Sequence, residues 1–134
     1  MITQDQLPLV AMSSMNDTHL EEILIINRLE AAASENDTNA VSEILKELVE
    51  HTSMHFFDEE EMMEEALFPA FKMHKSEHDR HLHELQSVVK YFEEHKEPSA
   101  ISAYIQGGLT PWLINHIETM DTMTAKFLEQ GFSV

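Results

Sequence analysis

The stretch Phe71-Lys72-Met73-His74-Lys75-Ser76-Glu77-His78-Asp79-Arg80-His81-Leu82-His83-Glu84-Leu85-Gln86-Ser87-Val88-Val89-Lys90-Tyr91-Phe92 decides the fold. Phe71, His74, His78, His81, Leu85, Val88 and Phe92 recur at spacings of three and four, an unbroken seam along one face of an α-helix. Histidines stand in this seam where an ordinary amphipathic helix carries leucine or isoleucine. The same period continues on both sides. Upstream, Val41, Ile44, Leu48, His51, His55 and Met62 form one face, and His19, Ile23, Ile26 and Glu30 another. Downstream, Ile105, Leu109, Trp112, His116, Met120, Met123 and Phe127 form a fourth.

Breaks between these segments are few, because the chain has only three Gly and four Pro. Ser34-Glu35-Asn36-Asp37 separates the first helix from the second, and Leu67-Phe68-Pro69 the second from the third. The third ends near Glu97-Pro98, and Gly131 is a natural stop. Asn16 or Asp17 is placed to cap the first helix and Asp37 the second. Gly107-Gly108 and Thr110-Pro111 punctuate the fourth segment. Thr110 before Pro111 reads as a cap followed by proline at the first helical position. That leaves either two helices or one helix kinked there. The expected fold is all-α: an up-down-up-down antiparallel four-helix bundle with an N-terminal arm over residues 1–14. At 134 residues the chain fits one domain, 1–134, with the bundle over about 15–130.

Charge and composition exclude several functions. Eight Lys+Arg against 25 Asp+Glu give a net charge of −17, which opposes binding to nucleic acid and to anionic membrane surfaces. It also favours a monomer. With no Cys, disulfides, thiolate zinc sites, iron–sulfur clusters and thiol catalysis are all excluded. No apolar run reaches the roughly 18–20 residues of a membrane span, and the first twelve residues do not read as a signal peptide. The expected compartment is the cytoplasm.

Histidines on all four seams change how each one is read. A single His on an apolar face is ordinarily a core residue with a local partner, whereas four helices carrying them at one level converge as metal sites in bundles do. His55 and Glu59 are four apart, about 40° from each other around their helix, and so are His74 and His78. His19 and His116 contribute from the first and fourth helices. Asp121, five residues past His116, falls about 140° round a regular helix. At that angle it would not easily share one ion with His116, but it would reach a second ion nearer the neighbouring helix. Two metals with carboxylates between them are therefore expected. An imidazole–carboxylate set without thiolate suits iron, zinc, copper or manganese, and the mixed set of seven ligands favours iron. The Glu-x-x-His pairs of ferritin-like oxidases, the H-E-x-x-H signature and Gly-rich phosphate loops are all absent.

These residues, in their contexts, resemble the hemerythrin family, in particular its single-domain bacterial members. The matching segments are Met15 to Glu22 around His19, His55-Phe56-Phe57-Asp58-Glu59-Glu60, and His74-Lys75-Ser76-Glu77-His78. Trp112-Leu113-Ile114-Asn115-His116-Ile117 and then Asp121 complete the set, with Met63 and Phe68-Pro69 also in place. The resemblance covers about residues 12–130. It implies a non-haem di-iron centre, oxo- or hydroxo-bridged, that binds dioxygen reversibly. By resemblance, His74, His78 and His116 would hold a coordinatively full iron. His19 and His55 would hold an iron with one open position for dioxygen, and Glu59 and Asp121 would bridge the two. Phe56, Trp112, Leu113 and Ile117 flank ligands, so they read first as core and second as lining of the dioxygen pocket.

Three departures from the family pattern stand out. His51 occupies a position where relatives often have Tyr, and His81 one where an aromatic is common. Gly107, Gly108 and Pro111 fall where relatives have a regular helix. The remaining residues read as structural. Met62, Met63, Met120 and Met123 fill core gaps, Glu60, Glu61, Glu64 and Glu65 form a solvated face, and His83 and His95 are exposed. The leading function is oxygen storage, delivery or scavenging, without enzymatic turnover beyond weak oxidase or peroxidase side activity. One alternative is oxygen or redox sensing through a separate partner, since 134 residues leave no room for a fused signalling domain. The other is a di-iron enzyme handling peroxide or nitric oxide. A redox or delivery partner stays unidentified.

Overall fold

The computed structural model describes residues 2–131. Among them, three long helices, α1 (Ser13–Ser34), α2 (Thr38–Glu65) and α3 (Phe71–His95), are followed by a fourth over 98–131. α1 packs on α2 and α2 on α3, and the fourth helix closes the bundle against α1 and α3. This is the expected antiparallel up-down-up-down arrangement. Its apolar layer includes Ile26, Leu29, Val41, Leu45, Leu48, Leu85, Phe92, Ile105 and Leu109, all buried.

The turns follow from local chemistry. Asp37 caps α2, its side chain accepting from Ala40 N–H at 3.1 Å. α1 ends in a paired cap: Asn36 N–H reaches Ala33 O at 3.1 Å and Asp37 N–H reaches Ala32 O at 3.0 Å. Asn36 takes the left-handed conformation this motif needs, at φ 56°. α2 ends the same way, with Leu67 at φ 56° and Phe68 N–H returning to Met63 O at 3.0 Å.

One expectation is corrected at the N-terminal end. α1 begins at Ser13 with Met12 in the cap position, so neither Asn16 nor Asp17 caps it. Asn16 instead clips the arm, accepting from Val10 N–H and donating to Val10 O, both at 3.0 Å. Ile2, Leu7 and Val10 are buried, and Asn27 donates to Ile2 O at 2.9 Å, so the arm packs on the bundle.

The fourth helix is neither split nor capped at Thr110. It runs as α-helix (Pro98–Tyr104), π-helical turn (Ile105–Leu109), α-helix (Thr110–His116), π-helical turn (Ile117–Asp121) and α-helix (Thr122–Gly131). Thr110 sits in its interior at φ −63°, ψ −47°, and its N–H bonds to Ile105 O, five residues back. Pro111 has no N–H to give and crowds the turn before it. A wider turn just upstream removes the conflict between proline and a continuous helix. Gly108 faces the Tyr104 ring, where an added Cβ would stand 3.3 Å from a ring carbon. Met123 is 65% exposed and so is a surface residue, whereas Met63 is buried as expected.

Candidate metal centre

Each helix delivers its part of the site from the face that its period dictates. His19 comes from α1, His55 and Glu59 from α2, His74 and His78 from α3, and His116 and Asp121 from the fourth helix. All seven are buried. Ligand-type atoms of Glu59, His74, His78, His116 and Asp121 lie within 4.8 Å of one another. His19 and His55 join them through the second oxygen of each carboxylate.

The two carboxylates divide the site in the same way. Asp121 Oδ1 lies 3.1 Å from His74 Nε2 and 3.2 Å from His116 Nε2, while its Oδ2 lies 3.0 Å from His19 Nε2. Glu59 Oε1 lies 2.9 Å from His74 Nε2 and 3.4 Å from His78 Nε2, while its Oε2 lies 3.1 Å from His55 Nε2. Each carboxylate therefore turns one oxygen to the His74–His78–His116 group and the other to the His19–His55 pair.

The placement of Asp121 corrects the sequence-based angle. In a regular α-helix a residue five places on is about 140° away. Here the intervening segment is the π-helical turn Ile117–Asp121, in which Thr122 N–H bonds to Ile117 O. The wider turn brings residues five apart back to one face. His116 and Asp121 consequently belong to the same cluster.

Hydrogen bonds on the far side of the rings decide which nitrogen faces inward. Glu60 can only accept, so His78 donates from Nδ1 to Glu60 Oε2 at 2.9 Å. That leaves an Nε2 lone pair pointing into the site, and this buried atom has no hydrogen-bond partner. Thr124 donates weakly to Met63 Sδ at 3.9 Å, and its oxygen accepts from His74 Nδ1 at 2.8 Å. His74 Nε2 then meets His116 Nε2 at 3.2 Å, nitrogen against nitrogen. Glu59 Oε1 and Asp121 Oδ1 are likewise buried without an aligned hydrogen bond. Lone pairs turned toward one centre are what cations satisfy, so the residues present fit a metal site.

The electrostatics agree. Burial pushes the Glu59 carboxyl up, as does nearby Asp121, but the adjacent imidazoles of His55, His74 and His78 outweigh both and hold it low. Asp121 is held well below the usual carboxylate range: burial opposes this, and the adjacent imidazoles of His116, His19 and His74 prevail. Burial pulls His74 down, yet the adjacent carboxylates of Asp121 and Glu59 raise it to about 9. His55 is also raised well above 6.5 against its burial, by the neighbouring carboxylates of Glu22 and Glu59. Without metal, protonated His55 and His74 supply positive charge beside the two carboxylates.

Aromatic rings wall the cluster. Phe56 stacks on His78 with ring centres 3.8 Å apart. Trp112 stacks on His116 at 4.6 Å and on His81 at 3.7 Å, and its Nε1–H donates to Glu77 Oε1 at 2.8 Å. Leu113 and Ile117 are buried on the fourth helix beside His116. His81 is buried, and burial pushes it down to about 4. His51 lies 3.3 Å from Glu21 at the rim of a cleft of about 280 Å³, lined also by Ser14, Thr18 and Met54, that reaches His55 and Glu59.

Sequence reading missed three residues. Glu60 belongs to the site and not to a solvated face, while Glu61, Glu64 and Glu65 are exposed as expected. Its position next to Glu59 on an amphipathic helix gave no warning. Thr124 and Glu22 were also missed. Glu22, three residues after His19, was detectable as a charge on an otherwise apolar face.

A closed four-helix bundle with imidazoles and carboxylates converging at its middle defines a class, the helical cation-binding bundles. The family profile described as Hemerythrin HHE cation binding domain matches residues 11–128, and the chain belongs to this family. It is 32% identical over 114 residues to a bacteriohemerythrin of Aquifex aeolicus (strain VF5), covering 85% of this chain and 87% of that one. It is 31% identical over 121 residues to a bacteriohemerythrin of Stenotrophomonas maltophilia (strain R551-3), covering 90% of this chain and 76% of that one. A crystal structure of a hemerythrin mutant superposes with a TM-score of 0.80 at 21% identity, over 96% of this chain and 95% of the other, a likeness of fold. Among the described residues no helix is long and apolar enough to cross a membrane.

Proposed function

We propose that the chain binds dioxygen reversibly at a pair of non-haem irons and serves in oxygen storage, delivery or scavenging. His74, His78 and His116 would hold one iron, His19 and His55 the other, and Glu59 and Asp121 would join them. The observation that carries this reading is the division of each carboxylate between two histidine groups, with Asp121 Oδ1 and Oδ2 at 3.2 Å and 3.0 Å from His116 and His19. A single ion uses one such group; two ions use both. Names of relatives support the dioxygen assignment, since they are called bacteriohemerythrins.

When bound, the iron pair supplies the electrons for holding dioxygen. The protein's own contribution is positional. Three histidines on one side leave few free positions there, whereas two on the other leave room for an exogenous ligand. Glu60 and Thr124 fix the His78 and His74 rings, so the geometry is set before metal arrives. Phe56, Trp112, Leu113 and Ile117 surround the site with apolar surface that limits access of bulk water and protons. With a net charge of −17 the chain is expected to act as a monomer.

Metal analysis and optical spectroscopy test the reading. About two irons per chain are expected. The spectrum in air should contain an oxo-bridge absorption that disappears on anaerobic reduction. Brief readmission of dioxygen should give an oxygenated spectrum that reverts when the gas is removed. One zinc and no iron, or a spectrum indifferent to dioxygen, would overturn it.

A further inference from the structure

Glu22 is 3% exposed, on a stretch of α1 whose neighbours Ile23, Ile25 and Ile26 are all buried apolar residues. A carboxylate in such a place is unfavourable unless something needs it. Glu22 Oε1 accepts from Thr52 Oγ1 at 3.1 Å. Its Oε2 has no hydrogen-bond partner and lies 3.6 Å from His55 Nδ1, which is also buried and without one. On the opposite edge of the same ring, His55 Nε2 faces Glu59 Oε2 at 3.1 Å. The His55 ring is thus bracketed by two carboxylates, one on the metal side and one behind it.

We propose that Glu22 is a positioning residue of the metal centre, holding His55 through its Nδ1–H and adding a third buried negative charge beside the His19–His55 half of the site. The proposal rests on the two-cation reading above. Thr52 and His55 are three apart, on one face of α2, and both turn toward the same carboxylate of α1. Thr52 anchors one oxygen and thereby aims the other at the imidazole. The ring and carboxylate need approach by only roughly half an ångström to form a hydrogen bond. A carboxylate behind a ligating imidazole fixes its tautomer and makes its other nitrogen a better donor.

Charge gives Glu22 a second effect. Two divalent cations exceed the charge of Glu59 and Asp121 by two, and Glu22 halves that excess in a region where water does not screen it. An added negative charge stabilises the more oxidised metal pair. Of the two halves of the site, the one with fewer histidines is the one that gains it. Apolar packing alone would be met by leucine at this position, so the carboxylate separates an electrostatic role from a space-filling one.

The test compares wild type with Glu22→Gln, which keeps the shape, and Glu22→Leu, which keeps the packing. Zinc is the diamagnetic probe for NMR, and iron-loaded protein is used for potentiometry. Wild type loaded with two zinc ions should show a downfield, slowly exchanging His55 Nδ1 proton. That resonance should move upfield in Glu22→Gln and be lost to exchange in Glu22→Leu, with both variants still binding two ions. In the iron-loaded variants the oxidised-to-reduced ratio at a fixed potential should fall about tenfold, a positive shift of about 59 mV per electron. An unmoved His55 resonance and an unmoved potential would overturn the proposal and leave the two-iron reading intact. Loss of one ion on Glu22→Gln would also overturn it, making Glu22 a ligand. Wild type that takes up fewer than two ions would overturn the parent reading and this proposal together.

Discussion

His78 donates from Nδ1 to Glu60 Oε2 at 2.9 Å, and this bond leaves its Nε2 lone pair turned into the bundle. A ligand held from behind in this way binds metal more tightly than one free to rotate. Glu60→Ala is therefore expected to weaken metal binding by about 10–100-fold. Glu61→Ala, one residue on and exposed, should leave affinity unchanged. Competition against a chelator of known affinity measures both. Equal affinities for the two variants would remove Glu60 from the site.

Glu59 faces three of the histidines, at 3.1 Å from His55, 2.9 Å from His74 and 3.4 Å from His78. Glu59→Ala should reduce the bound iron to one ion or fewer per chain and abolish the bridged-pair spectrum. His95→Ala is the control, because His95 is exposed and bonds only locally to Tyr91 O. Its metal content and spectrum should match wild type. Equal damage from both substitutions would show that the assignment of the site is wrong.

His74 is raised to about 9, so in metal-free protein at neutral pH it carries a proton that a cation must displace. His55, raised well above 6.5, adds to this. Metal uptake at pH 7.5 should release protons, and apparent affinity should increase with pH until His74 has lost its proton above about pH 9. Calorimetric titrations in two buffers of different ionisation enthalpy give the proton count. Identical heats in both buffers would mean that the rings are already neutral.

His81 lies flat on Trp112, ring centres 3.7 Å apart and planes 1° from parallel. Burial holds its folded-state value at about 4, below the 6.5 of an imidazole in water. Between these values the unfolded chain binds more protons, so stability is lost as pH falls from 6.5 through 4. The total is of order 3 kcal/mol. His81→Phe keeps the stack and cannot take a proton. In metal-free protein the stability of the variant relative to wild type should improve steadily from pH 7 to pH 4.5. Urea titrations at the two pH values decide it: a constant difference would exclude His81 as the source.

Four helices, the turns that join the first three and the level of the site were legible in the chain because each depends on local terms. The three–four period sets which face is buried, and Asn36 ends one helix and Asp37 starts the next through bonds within a few residues. The convergence of His19, His55, Glu59, His74, His78 and His116 followed from that period once the helices were packed antiparallel, whereas Asp121 joined them only through the wider turn before it. Tertiary structure decided the rest. Pro111 and Gly107-Gly108 look like a break, yet packing keeps the fourth helix continuous and absorbs proline in a wider turn. The turn Ile117–Asp121 cannot be read from composition, because choosing a bond five residues back over four depends on what neighbouring helices offer. Asn16 looks like a cap but clips the arm, since Val10 lies within its reach only in the folded chain. Glu60 and Glu22 look like two more charges in an acidic protein. Their partners, His78, Thr52 and His55, stand on other helices, so only the packed bundle shows which carboxylates are solvated and which hold the site.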